Sequence, residues 1–307
     1  MGLMLFALAT LSPILYAATN HIDNILLQKY FKKGGVGTLI LFSALLSVFA
    51  IPVFFLIDPS VMSISWSSIA LLSFVGFLNV LLLWCYLQAI FTDEPLVVII
   101  YYQLVPVLGL VFGYIALGEV ITSVQLLAML LVILGAAVLS VAMDENGTVV
   151  FRFRTALYML IASICWALES TLFKVVALEE NVWHSLFWEH VALVIIGILL
   201  LALIKKYRKS FLEALKFNSG PVLSMNFLNE SLYIVGNSVA AYVVVLIPIS
   251  LTLLMNSFQP LFVLLIGLIL KWALPSLAVE HVSSKQWPQK MFAIVLTAIG
   301  VYLIGDW

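Results

Sequence analysis

Ten apolar stretches, each long enough to cross a bilayer, occupy almost all of this chain of 307 residues. A helix crossing a hydrocarbon core of about 30 Å needs about 20 largely apolar residues, and in lipid every backbone polar group must find its partner within the protein. The stretches run Leu3–Leu27, Val36–Ile57, Trp66–Ile90, Pro95–Leu117, Ile121–Met143, Thr155–Leu178, Val182–Ile204, Pro221–Leu246, Ile247–Trp272 and Lys290–Gly305. They are continuous runs without the period-two alternation of lipid-facing strands, which argues for helices and against a barrel. Charged residues make up only 9% of the chain, against roughly a quarter in a soluble domain. Lipid is therefore the expected solvent for most of the surface.

Little remains for other functions. The longest polar stretches, Lys205–Gly220 and Ala273–Gln289, are loop-sized, so a soluble catalytic domain has no room. No P-loop occurs, which excludes a Walker-type ATPase, and nothing points to a nucleic-acid partner or a cofactor. The first span lacks a basic n-region, and Ala7-Leu8-Ala9 sits too early for signal cleavage, so that span is read as retained. Cys85 and Cys165 fall mid-span, where they read as small packing residues. Asn146-Gly147-Thr148 has the form of a glycosylation acceptor, on the face that the charges make cytoplasmic.

Basic residues set the orientation. Lys29, Lys32 and Lys33 follow span 1, Arg152 and Arg154 follow span 5, Lys205, Lys206, Arg208, Lys209 and Lys216 follow span 7, and Lys271, Lys285 and Lys290 flank the loop after span 9. All of the 14 basic residues except Lys174 thus fall on one face, which the positive-inside rule makes cytoplasmic. Both termini are then extracytoplasmic, in a multi-pass protein of the plasma (inner) membrane. The opposite face is expected to carry Asp58, Asp93 or Glu94, Glu119, Glu179, Glu180 and Asp306.

The two halves echo each other. Phe77-Leu78-Asn79 in span 3 recurs as Phe227-Leu228-Asn229 in span 8, Pro106 in span 4 as Pro260 in span 9, and Gly135 as Gly300. Landmarks in the same order, with an odd number of spans per half, imply an inverted duplication of the kind found in secondary transporters. The fold expected is an all-α integral membrane protein, its ten transmembrane helices forming two inverted five-helix repeats, 1–143 and 155–307, joined by a linker at 144–154.

Leu117-Gly118-Glu119-Val120-Ile121-Thr122-Ser123-Val124-Gln125, followed by Leu134-Gly135-Ala136-Ala137-Val138-Leu139, resembles the motif that closes each repeat of EamA-type members of the drug/metabolite transporter superfamily. Span 9 keeps Gln259-Pro260, but a longer loop with only Glu280 as a counterpart replaces the second Leu-Gly-Glu element. The resemblance extends over essentially the whole chain through its five-plus-five layout. It implies a secondary carrier of organic metabolites, often an exporter and often without a cofactor. Many such carriers have cytoplasmic termini, opposite to the orientation that the charges give here.

A carboxylate at bilayer depth costs a few kcal/mol or more unless it meets a partner, water or the bundle interior. Glu169 in span 6 and Glu230 in span 8 are such residues. Asn226, Glu230, Tyr233 and Asn237 follow each other at spacings that place them on one helical face, with Asn229 beside them. Thr252, Asn256 and Gln259 repeat the pattern in span 9, just before Pro260. Tyr102, Gln103 and Trp166 complete the candidate substrate-binding or proton-coupling set, and a carboxylate among aromatic faces suits an organic cation. Asn20, His21 and Asp23 in span 1, and Glu189 and His190 in span 7, are gate candidates nearer the helix ends.

Blander roles compete with each of these. Isolated Asn79 and Gln88 read as interhelical hydrogen bonding, and Gly109 and Gly113 as a close-packing pair. Trp66, Trp183, Trp272 and Trp287 read as interfacial anchors, and Lys205–Phe217 as a segment lying on the membrane surface. A zinc site from His21, Asp23, His184, Glu189 and His190 has no motif behind it.

The function expected is transport of a small organic metabolite by alternating access, either facilitative or proton-coupled, with an amine or other cation among the candidate solutes. The partners are that solute, membrane lipids and protons, in a monomer or homodimer. A membrane-embedded lipid-modifying enzyme using Glu169, Glu189, His190 or His21 is one alternative. A non-transporting scaffold or sensor is another.

Overall fold

In the structure, a computed structural model, the described residues are 3–31, 35–93, 95–118, 120, 122–139, 141–143, 149–216, 219–273 and 287–304. Seven of the helices they form are long and apolar enough to cross a membrane: Gly35–Ile57, Trp66–Thr92, Val97–Leu117, Phe153–Glu179, Val182–Leu203, Gly220–Leu246 and Leu251–Ala273. The chain is thus a multi-pass helical membrane protein by helix length and hydropathy.

In chain order the helices are α1 (Leu3–Ile25), extended by a π-turn over Leu26–Tyr30, α2 (Gly35–Leu46), α3 (Ala50–Ile57), α4 (Trp66–Thr92), α5 (Pro95–Tyr101), α6 (Leu104–Leu117) and α7 (Ser123–Leu139). A two-stranded antiparallel hairpin follows, β1 (Val141–Met143) and β2 (Val149–Phe151). Then come α8 (Phe153–Glu179), α9 (Val182–Leu203), α10 (Lys205–Lys216), α11 (Ser219–Leu246), α12 (Ile249–Met255), α13 (Gln259–Ala273) and α14 (Trp287–Ile304).

Three of the expected spans are broken in the middle, each just before a proline. A 3₁₀ turn at Ser47–Phe49 separates α2 from α3 ahead of Pro52, the turn at Tyr102–Gln103 separates α5 from α6 ahead of Pro106, and a 3₁₀ turn at Asn256–Phe258 separates α12 from α13 ahead of Pro260. A proline removes one ladder hydrogen bond and leaves a carbonyl to be satisfied otherwise. Here a tighter bond takes over: the Val105 N–H donates to Tyr102 O at 2.9 Å, and the Gln259 N–H donates to Asn256 O.

The hairpin corrects two expected boundaries. The fifth span ends at Leu139 and not Met143, and 141–143, read as its end, pairs with 149–151 of the segment read as a linker. The β-branched and aromatic run Val149-Val150-Phe151 favours extended backbone over continued helix. At the other end of α6, Gly118 ends the helix in the left-handed conformation (φ 67°), the usual C′ role of glycine. Glu119, Glu280 and Asn146-Gly147-Thr148 lie outside the described residues, as do Lys32, Lys33, Lys285, Glu94 and Asp306.

One expected placement is wrong. Asp93 was assigned to the acidic face, yet its carboxylate lies 3.5 Å from Arg152 Nε and accepts from the Thr155 hydroxyl, so it belongs with the basic face. The reason is a matter of counting: Asp93 closes the third span, which returns to the side where the first span ended. Lys174, the outlying basic residue, is buried and donates to Ile247 O at 2.9 Å at the opposite end.

Packing is closest between α4 and α8, between α7 and α14, and between α1 and α11. Beyond these, α8 also meets α6, α1 meets α13, α12 meets α6, and α9 meets α2, α3 and α4. Large apolar side chains such as Leu56 and Ile115 face outward, as a lipid-solvated surface requires. Gly109 of α6 lets α12 approach: a Cβ there would stand 2.4 Å from Leu253 Cδ1. The basic helix α10 has no buried residue and packs on α2, while Arg208 Nη1 donates to Ala202 O near the C-terminus of α9.

Candidate functional site

The polar residues of α1, α4, α11 and α13 meet in one hydrogen-bonded chain. Gln259 Nε2 donates to Asn20 Oδ1 at 2.6 Å, and Asn20 Nδ2 donates to Tyr86 Oη at 2.8 Å. Tyr86 Oη in turn donates to Asp23 Oδ2 at 3.2 Å, while Asn229 Nδ2 donates to Asp23 Oδ1 at 2.7 Å. Four helices are tied through one carboxylate, and every bond in the chain runs toward it. The break before Pro260 puts Gln259 at the start of α13, where its side chain reaches α1.

Glu230 is held separately. Ser43 Oγ donates to its Oε2 at 2.6 Å and Ser47 Oγ to its Oε1 at 3.1 Å. These serines are four residues apart on one face of span 2, and Ser47 sits in the 3₁₀ turn that ends α2. Asn79 Nδ2 donates to Tyr233 Oη at 2.7 Å, one turn further along α11. Glu230, Asp23, Asn79, Asn226, Asn229 and Tyr233 border a common cavity of about 50 Å³. Asn226 donates its amide back to Val222 O within its own helix.

Glu169 and Glu189 border a second cavity, of about 40 Å³, with Tyr16, Asn237, Thr252 and Asn256 among its other walls. Aromatic rings separate the two cavities. Trp166 meets Tyr102 edge-on at 4.7 Å and Tyr16 at 6.0 Å, Tyr16 lies 5.9 Å from Tyr233, and Tyr102 stacks with Tyr86 at 6.1 Å. Gln103 is buried at the α5–α6 break beside Tyr102. Each cavity has room for water, which needs about 10–15 Å³, but not for an organic solute, which needs a few hundred. The polar interior is therefore closed to organic solutes in this structure.

Among the described residues no ion pair reaches Asp23, Glu169, Glu189 or Glu230. Three buried side-chain atoms of this interior have no hydrogen-bond partner, Glu169 Oε2, Asn229 Oδ1 and Gln259 Oε1, and all three are acceptors. The interior is thus rich in acceptor oxygens.

Several sequence-derived groupings are rearranged. The stripe on α11 serves both cavities: Asn226, Glu230 and Tyr233 face one, and Asn237 faces the other. The gate candidates Asn20 and Asp23 are both members of the central hydrogen-bonded network. Glu189 and His190 part company, since His190 Nδ1 lies 2.8 Å from Leu186 O and its ring meets Phe54 edge-on. His21 Nε2 lies 2.8 Å from Val263 O. Among the described residues no three His, Cys, Asp or Glu side chains are grouped to hold a metal. Trp183, at the start of α9, lies 6.4 Å from the Phe54 ring. The sequence reading missed Ser43 and Ser47, although their spacing of four was visible.

A polar corner lies at the end of the bundle opposite Arg152. There Asp58 Oδ2 stands 3.1 Å from His184 Nε2 and accepts from Asn181 Nδ2 at 3.4 Å, while Glu180 Oε1 accepts from Ser68 Oγ at 2.8 Å and from the Ser65 N–H at 3.1 Å. The Ser60 hydroxyl, then the Ser60 N–H, hold the Asp58 carboxyl below the usual carboxylate range, with His184 adding to the effect. The Ser65 N–H and the Ser68 hydroxyl do the same for Glu180.

No protein-family model matches this chain, and no curated protein matches it. A solved structure described as "Crystal structure of protein" aligns over 95% of this chain and 96% of its own, at 16% identity and a TM-score of 0.49. A likeness at that level does not define the fold.

Proposed function

We propose that this protein is a secondary carrier for a small organic cation, such as an amine, built from two inverted five-helix halves of the EamA type. The observation that carries the reading is the acceptor-rich interior: four buried carboxyl side chains and three unpartnered acceptor atoms without an ion pair among the described residues. Burying a charged or polar group without its partner is costly, so such an interior is complementary to a ligand that brings N–H donors and positive charge.

The packing supports the two-half reading. Exchanging spans 1–5 with spans 6–10 turns the α4–α8 contact into α11–α1 and the α6–α8 contact into one between span 9 and α1, and both partners of each exchange are present. The α7–α14 contact maps onto itself, and the α6–α12 contact maps onto one between α13 and α5, which is also present. The breaks before Pro106 and Pro260 also fall in corresponding spans. Substrate sites in inverted-repeat carriers lie between the halves near the midplane, and in this reading Asp23 and Glu230 at one small cavity and Glu169 and Glu189 at the other supply the carboxyls of such a site.

In this account the closed interior opens alternately to each side as the halves rock, and the solute displaces water from the two small cavities. Glu230 or Glu169 exchanges a proton for the cation, since each offers a titratable carboxyl. The basic face is cytoplasmic, by the positive-inside rule. A thermal-shift screen of amines against neutral molecules of the same shape, followed by flux of the hits into liposomes containing only this protein, tests the proposal. Flux of an amine and not of its neutral isostere supports it, whereas absence of flux for every stabilising ligand contradicts it.

A further inference from the structure

A much larger cavity, of about 760 Å³, lies between α3 and α11 beside Glu230, with Leu8 of α1, Leu46 of α2 and Trp183 of α9 also on its walls. Its volume is in the range of small-molecule sites, about 300–1,000 Å³. Its walls are almost wholly apolar, with Phe49, Val53, Phe227 and Val235 among them, and these four side chains are each about half exposed on the face turned to lipid. Among the described residues Glu230 is the only acidic one bordering it, and no basic one does. Along α11 the groove runs from Phe227 to Tyr242, fifteen residues or about 22 Å at the helical rise, with Glu230 about one turn from its Phe227 end.

Among the described residues Glu230 is also the only one shared by the linings of this groove and of the inner polar cavity. Its carboxyl, anchored by Ser43 and Ser47, forms the partition between the membrane-facing groove and the network around Asp23. From this placement we infer that the groove is a lateral entrance for a lipophilic amine. Its apolar body lies between α3 and α11, its nitrogen pairs with Glu230, and the head passes inward to Asp23.

Charge complementarity selects this occupant. A fatty acid would set its carboxylate against Glu230 with no basic residue among the described lining residues to offset it, and a neutral lipid tail would bring no charge to pair with the carboxyl. The inference deepens the carrier reading and rests on it for the step beyond binding. Binding itself can be measured without flux.

The test uses the full protein in bilayer discs of phosphatidylcholine and a ten-carbon alkylamine carrying a diazirine on its chain. After photolysis, labels should map to Phe49, Val53, Phe227 or Val235. Decylamine should displace them about tenfold more effectively than decanol. Glu230→Gln should abolish that preference for the amine. Val235→Trp, which fills the groove from its lipid side and leaves the carboxyl intact, should cut labelling about tenfold even if Glu230→Gln folds poorly. Equal displacement by amine and alcohol, or unchanged amine preference in Glu230→Gln, would overturn the inference and leave an ordinary lipid-tail groove. Labelling without flux of any solute would instead sink the carrier reading and keep the groove, and flux without labelling would do the reverse.

Discussion

Asn229 Nδ2 donates to Asp23 Oδ1 at 2.7 Å, joining the polar half of α1 to the middle of α11. Both side chains are buried, and a hydrogen bond typically contributes about 0.5–1.5 kcal/mol net. A double-mutant cycle over Asp23→Ala and Asn229→Ala, read by denaturant unfolding, should return an interaction of about 1 kcal/mol or more. Strict additivity of the two substitutions would mean that the bond contributes nothing to the folded protein.

Much of this arrangement was legible in the sequence. Span positions follow from hydropathy, and the polar stripe on α11 follows from helical spacing. Which stripe residues share a cavity was not legible, because that depends on how neighbouring helices rotate. Asn237 turned toward Glu189 while Glu230 turned toward Ser43, from positions seven residues apart on one face. The mid-span breaks were only partly visible. Pro106 and Pro260 stood out through their correspondence between halves, whereas Pro52 lies in a run as apolar as any helix, and the turn ahead of it is what places Ser47 on Glu230.

The Asp58 and Glu180 corner predicts an acid limb in the stability profile. Both carboxyls are held low in the folded protein, so each binds protons less readily folded than unfolded. Their contribution is full above the ordinary Asp and Glu values of about 3.9 and 4.3, and is lost as pH falls through the lowered folded values. Melting curves of the wild type minus those of an Asp58→Asn, Glu180→Gln double variant should show a constant difference from about pH 7 to about pH 5, shrinking below about pH 4. A difference independent of pH down to about pH 2.5 would rule the linkage out.

Gly109 and Leu253 form the contact between α6 and α12. Gly109→Ala places a methyl where Leu253 Cδ1 now lies and should destabilise by about 1–3 kcal/mol, as overpacking does. In a Leu253→Ala background the same substitution should cost less than half as much, since the methyl then enters vacated space. Equal costs in both backgrounds would show that the helices do not meet as described.

Orientation can be read in intact cells. Cys85 and Cys165 are buried and should stay silent to an impermeant thiol reagent, so single cysteines report alone. A cysteine replacing Arg208 on α10 should be protected, while one replacing Ser60 beside Asp58 should react. The reverse pattern would exchange the inside and outside assignments and leave the packing untouched.

The central claim is that buried carboxyls of this interior carry a cationic solute, and flux of the strongest amine hit in liposomes measures it most directly. Glu230→Gln preserves shape and hydrogen bonding to Ser43 or Ser47 while removing the titratable carboxyl. In protein whose melting temperature stays within a few degrees of wild type, flux should fall about tenfold or more and lose its pH dependence between about pH 5.5 and about pH 8. Wild-type flux with an unchanged pH profile in that variant would contradict the account.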